Sequence, residues 1–178
     1  MAIQIGAKLD CGFDDPIGML TDCHRRIESF LGILCIVAER ATGRTLTHQE
    51  KAAVEASLQY FRSGGQRHTA DEEESLFPRL RASTVSPPEQ LETLERDHLE
   101  AGKLHESVER RCMQWVATGE LETEDQSQLL LDTTRLKQLY AEHIQVEDSI
   151  VFPHASRVLD GRSIAAIGLE FVARRKQI

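Results

Sequence analysis

Six side chains of this sequence have types and spacings that suit chemistry, and they fall into two matched sets. The phrase running from His68 to Pro78, with Glu72, Glu73, Leu76 and Phe77, returns from His143 to Pro153 with Glu147, Asp148, Val151 and Phe152. A lone histidine precedes each copy: His24 lies 44 positions before His68, and His98 lies 45 before His143. Imidazole and carboxylate donors without thiolate suit iron, manganese or zinc, and a matched pair of carboxylates suits two bridged ions. Four imidazoles and two carboxylates, set symmetrically, are what a two-metal site inside a helix bundle needs.

Spacing explains why these groups could meet. On an α-helix, residues four apart differ by about 40° and stack on one face. His68 with Glu72, and His143 with Glu147, therefore each aim a nitrogen and a carboxylate at one point. A buried imidazole or carboxylate with no partner costs several kcal/mol, so six of them facing one core demand cations or a dense hydrogen-bond network. Taken singly, each histidine reads as a satisfied core residue, and one His-x-x-x-Glu is a common surface pair. The duplication and the lone histidines on apolar seams favour the metal.

Four long helices and a short fifth must position these groups. The first opens at Asp14-Asp15-Pro16, an acidic cap with proline in the first turn, and runs to about Ala41 with Gly43 just beyond. Its seam of Ile17, Leu20, His24, Ile27, Leu31, Leu34 and Ala38 steps by three and four, which puts His24 in the core. The second opens on the capping box Thr47–Glu50 and carries Val54, Leu58, Phe61, His68, Glu72 and Leu76 to about Ala82. Ser63-Gly64-Gly65 predicts a break or kink within it. The third follows Ser86-Pro87-Pro88, holds Leu91, Leu94, His98, Ala101, His105, Val108, Cys112 and Trp115 on one stripe, and ends at Gly119. The fourth runs from near Asp125 to about Leu159 through Leu136, Leu139, His143, Glu147 and Ile150. Pro78 and Pro153 should kink or end their helices. A fifth helix spans Ser163 to about Lys176. The expected fold is all-α, an antiparallel up-down-up-down four-helix bundle with a short C-terminal fifth helix, forming a single domain over residues 1–178.

Composition narrows the function. A net charge of −8 argues against a nucleic-acid partner, because phosphate contacts need a basic footprint. The one basic cluster, Arg174-Arg175-Lys176, reads as a complement to the C-terminal dipole of the last helix. The longest apolar run, Phe30 to Ala38, is far too short to span a bilayer. With one lysine and no apolar stretch at the start, no secretory signal is expected, so the expectation is a cytoplasmic protein without a membrane partner. Cys11, Cys23, Cys35 and Cys112 lack any metal-finger spacing and read as reduced thiols, mostly in the core.

The Asp22-Cys23-His24-Arg25-Arg26-Ile27-Glu28 opening, both His-x-x-x-Glu…Phe-Pro phrases and the short last helix together resemble the hemerythrin-like (HHE cation-binding) family over nearly the whole chain. The resemblance implies a bundle holding two iron ions with an oxo or hydroxo bridge. His24, His68, His98 and His143 would then be nitrogen ligands, and Glu72 and Glu147 bridging carboxylates. Respiratory hemerythrin carries a fifth histidine four residues after the third, where this chain has Gly102. The four-histidine, two-glutamate set is more similar to bacterial proteins that repair nitrosatively damaged iron centres and to the iron-sensing domain of an F-box ubiquitin-ligase subunit. One fewer ligand leaves a position open, which favours reaction with or sensing of a partner, a small diatomic ligand or peroxide, over simple reversible oxygen carriage.

Several neighbours stay open. Glu73 and Asp148 sit about 140° around the helix from their histidines and rank below the glutamates, although the family's carboxylate at that spacing keeps Asp148 as an alternative. Glu28 forms a third His-x-x-x-Glu with His24 and is a candidate extra ligand against a solvated glutamate. His105, about 10 Å along the helix from His98, is too far for the same ion. His48 and His154 read as surface residues. Rival readings are an iron-responsive interaction module without turnover, a ferritin-like carboxylate protein and a structural zinc bundle. The ferritin reading is weak because only one Glu-x-x-His, Glu95–His98, falls at a candidate ligand.

Overall fold

A computed structural model of the chain describes residues 11–176, and the regular elements among them are all helical. The expectation about the chain's first residues, no secretory leader, lies outside the described residues. Helix α1 (Pro16–Arg40) begins where the Asp15 carboxylate accepts the Gly18 N–H at 3.0 Å. Helix α2 (His48–Tyr60) opens on a reciprocal box. The Glu50 N–H donates to Thr47 Oγ1 at 3.3 Å, and Glu50 Oε2 accepts the Thr47 N–H at 2.8 Å.

The second rod then continues unbroken through a π-helical turn (Phe61–Gly65), α3 (Gln66–Ala70), a second π-turn (Asp71–Leu76) and α4 (Phe77–Ala82). Helix α5 (Leu91–Thr118) stops at Gly119, whose φ of 79° suits a residue without a Cβ. The fourth rod is α6 (Thr123–Val146), a third π-turn (Glu147–Val151) and α7 (Phe152–Val158), and α8 (Gly161–Lys176) follows.

Helix α1 packs on α2 and α6, and α5 packs on the same two, so rods consecutive in sequence are neighbours in space. That is the up-down-up-down four-helix bundle, with α8 laid against α1 and the second π-turn. Two apolar clusters fill it. One, built on Ile27, Leu34, Leu58, Val108, Trp115 and Leu136, occupies one half. The other, built on Leu20, Leu76, Phe77, Leu94, Val151 and Phe171, occupies the other half. The repeated histidines and glutamates fall along every rod between these clusters, so the bundle is apolar, then polar, then apolar along its axis.

The π-turns account for the main departures from the expected helices. Ser63-Gly64-Gly65 lies in a wider turn rather than a break. Pro78 and Pro153 end nothing. Each sits at the start of the α-helical segment directly after a π-turn, where the shift from i→i+4 to i→i+5 bonding accommodates the missing donor. The extra residue also moves the inward face. Val151 is fully buried and Ile150, expected on the seam, is 39% exposed. Arg174 and Arg175 do more than complement a helix dipole. They clamp α8 to the second π-turn, with Arg174 Nη1 2.6 Å from Asp71 Oδ1 and Arg175 Nη2 2.7 Å from Asp71 Oδ2.

Gly64 is required by close approach. An added Cβ would lie 2.7 Å from Cε2 of Tyr60, whose ring is pinned against Phe30 at 4.4 Å. Gly64→Ala should therefore destabilise the fold by about 1–3 kcal/mol. Gly32→Ala on α1, where nothing lies within 4 Å, should stabilise by about 0.5–1 kcal/mol. Urea unfolding of both variants separates strain at the π-turn from generic helix propensity.

Candidate metal centre

Each of the six side chains comes from a different segment: His24 from α1, His68 from α3, Glu72 from the second π-turn, His98 from α5, His143 from α6 and Glu147 from the third π-turn. All are buried except His98, which is partly buried. Donor atoms of His24, His68, Glu72 and Glu147 lie within 4.8 Å of one another, and so do those of Glu72, His98, His143 and Glu147. The two glutamates belong to both groups. The result is two sites of two imidazoles each, sharing two carboxylates.

The contacts show what these atoms are aimed at. His24 Nε2 and His143 Nε2 lie 3.0 and 3.3 Å from Glu147 Oε2. His68 Nε2 lies 3.3 Å from Glu72 Oε1, and His98 Nε2 lies 3.4 Å from Glu72 Oε2. Yet both oxygens of Glu72, both of Glu147 and Nε2 of His24 lack an aligned hydrogen bond. Atoms this close and this poorly aligned converge on common points instead of on each other. Buried polar groups are otherwise nearly always hydrogen-bonded. Two cations at those points fit the donor set and would satisfy the orphaned atoms.

Carboxylates outside the six groups fix the rings. His24 Nδ1 pairs with Asp148 Oδ1 at 3.0 Å, and His98 Nδ1 pairs with Glu73 Oε1 at 2.8 Å. Each bond leaves Nε2 facing the shared glutamates, the arrangement that orients and strengthens a ligating imidazole. These acids follow their own histidines by five residues, a spacing that placed them off the site by α-helical geometry. Inside a π-turn they swing to serve the lone histidine of the other half of the chain. The repeated acid after each glutamate was the signal.

Electrostatics agree with a site lacking positive charge. Burial opposes a charged His24, but Asp148 and Glu147 outweigh it and raise its pKa to about 10. Burial and then the charge on His24 push His68 well below the imidazole range. Burial and then Glu147 push Glu72 well above the carboxylate range. Burial works against ionised Glu147, yet His143 and His24 hold it well below that range. Without metal, a proton on His24 does part of a cation's work.

The other candidates are placed elsewhere. Glu28 is exposed and joins neither group. His105 packs on Phe61 with centroids 4.3 Å apart, and its Nε2 lies 3.0 Å from the Tyr140 hydroxyl. Burial lowers its pKa to about 4. His48 is exposed as expected. His154 is buried, contrary to expectation, because α7 continues past Pro153 and turns it inward beside Ala155. Cys23, Cys35 and Cys112 are buried, and burial raises the thiol pKa of Cys23 to about 11 and of Cys112 to about 12.

Two outcomes follow from this geometry. Asp148→Ala should weaken metal binding about 10–100-fold in competition with a chelator, with the fold retained. His24 has its pKa raised, so its proton stabilises the metal-free fold fully below the ordinary value of 6.5 and that stabilisation is lost as pH rises through about 10. Metal held through His24 would have to displace this proton. Loading at neutral pH should release at least one proton per chain, read with a pH indicator, and affinity should rise with pH.

The description "Hemerythrin HHE cation binding domain" matches residues 15–155, a span that contains all six groups. An uncharacterized protein of Haemophilus influenzae is 26% identical over 164 residues, covering 92% of each chain. No helix among the described residues is long and apolar enough to cross a membrane. With its bundle, its paired His-x-x-x-Glu phrases and this match, the chain belongs to the hemerythrin HHE cation-binding family.

Proposed function

We propose that the protein holds two iron ions and uses them to bind, sense or reduce a small ligand such as oxygen, nitric oxide or peroxide. His24 and His68 would hold one ion, His98 and His143 the other, with Glu72 and Glu147 bridging. The observation that carries this reading is the pair of buried glutamates shared by both groups, each with two oxygens lacking hydrogen bonds. Bridging carboxylates with imidazoles and no thiolate favour iron over a structural zinc site. Iron bound there would supply a ligand position and one exchangeable electron per ion.

The chain's own contribution is to orient the imidazoles and to flank them with aromatic rings. Asp148 and Glu73 hold His24 and His98, while Phe152 stacks on the His24 ring at 5.3 Å and Phe77 on the His98 ring at 6.4 Å. The buried thiols suit a reducing cytoplasm, where we place the protein.

One observation favours a second reading, an iron-responsive module without turnover. Asp71, adjacent to Glu72, is fully buried and gripped by two arginines of α8. A change at Glu72 would therefore be felt at a helix on the surface.

Elemental analysis joined to optical spectra before and after dithionite tests the proposal. About two irons per chain, with charge-transfer bands that bleach on reduction, are expected, and protein that takes up no stoichiometric iron would sink it. Glu147→Ala should lose a bridge and with it much of the second iron; full retention would remove Glu147 from the ligand set. Apolar dye binding after chelation separates the two readings: a large rise marks the responsive module, and little change with turnover of peroxide or oxygen marks the enzyme.

A further inference from the structure

We propose that exogenous ligands reach the metal pair from one side, through a cleft of about 310 Å³ between the Phe61–Gly65 π-turn and α5 that ends at His98. The inference rests on the di-iron reading and adds to it a route and a class of ligand. His98 is the least buried of the four histidines, its side chain 7% exposed against 2–4% for the others. Gly102, one turn beyond His98, borders the cleft, and a Cβ added there meets nothing within 4 Å. This is the position at which a bulkier residue would stand between solvent and the metals.

The walls also define the occupant. Phe61 and Ala101 supply apolar surface, Gln66 and Thr69 supply polar surface, and the His105–Tyr140 pair leads inward, with the Tyr140 and His143 ring centroids 6.5 Å apart. Among the described residues, the one arginine bordering the cleft, Arg62, is already bound to Glu109 at 2.6 Å, and Glu106 adds negative charge. Among the described residues lining the cleft an anion finds no free Lys or Arg, so the route favours neutral ligands. The volume equals about ten water molecules in the liquid, which admits a small organic molecule as well as a diatomic gas.

Among the described residues, the flank on the His24 side is covered. Phe152 lies nearly parallel over His24, with 13° between the planes, and α8 is clamped over Asp71 by Arg174 and Arg175. The His68 and His24 rings stand edge to face, with centroids 5.0 Å apart. The asymmetry gives the ion held by His98 and His143 first contact with an incoming ligand.

Plugging the cleft tests the route. Gly102→Leu and Gly102→Phe should retain two irons and the native circular dichroism, yet bind nitric oxide at least tenfold more slowly in stopped flow on the reduced protein. Gly32→Leu, the same bulk placed on α1, should bind at the native rate. Unchanged on-rates in both plugged variants would overturn the route and leave the di-iron reading standing. Glu106→Lys should speed azide binding to the oxidised protein several-fold, and no change would overturn the preference for neutral ligands. A native protein that takes up no iron removes the di-iron reading instead. Xenon-pressurised crystals then decide the cleft: xenon between Phe61 and Gly102, lost in Gly102→Leu, supports it, and its absence in the native crystal overturns it.

Discussion

Two carboxylates cannot remain ionised in the middle of a helix bundle without positive charge beside them. That constraint orders the rest of this molecule. Glu72 and Glu147 sit at 0% exposure between two apolar clusters, where an unpaired charge costs several kcal/mol after relaxation. Four imidazoles surround them, two further acids steady the imidazoles, and aromatic rings stack on His24 and His98. The interior is therefore built around a charge deficit, with an apolar cluster on either side of it along the bundle axis.

The π-turns are the local device that makes this geometry available to a chain with ordinary helical propensities. They occur at Asp71–Leu76 and Glu147–Val151, which contain the two shared glutamates, and at Phe61–Gly65 beside the cleft. A π-turn widens the helix by one residue, and such turns are rare and frequent at functional sites. Here it lets consecutive acids serve different ends, with one facing the centre and the next reaching a histidine on a neighbouring rod.

Much of this was legible in the sequence because the seams step by three and four. His24 between Leu20 and Ile27, and His98 between Leu94 and Ala101, could face only the core, so the bundle and the convergence of the six groups could be read from spacing. What lay hidden depended on departures from 3.6-residue geometry or on contacts between distant segments. Glu73 and Asp148 looked misdirected, Ile150 took the place that belongs to Val151, and His154 was read as exposed. The tie from Arg174 and Arg175 to Asp71 links residues about a hundred positions apart, and no local pattern announces it. The cleft beside Gly102 is a property of two rods and a wide turn together.

The crossed backing of the histidines has a consequence for the ancestry of the molecule. Asp148 of the second half steadies His24 of the first, Glu73 of the first half steadies His98 of the second, and both glutamates are held in common. Exchanging the halves returns the same set of contacts. Two identical helical hairpins meeting about a twofold axis would thus build the same centre, whereas a single hairpin would lack the backing acid for its own lone histidine. The present chain has the logic of such a homodimer written into one polypeptide, in which the two flanks of the centre are free to differ.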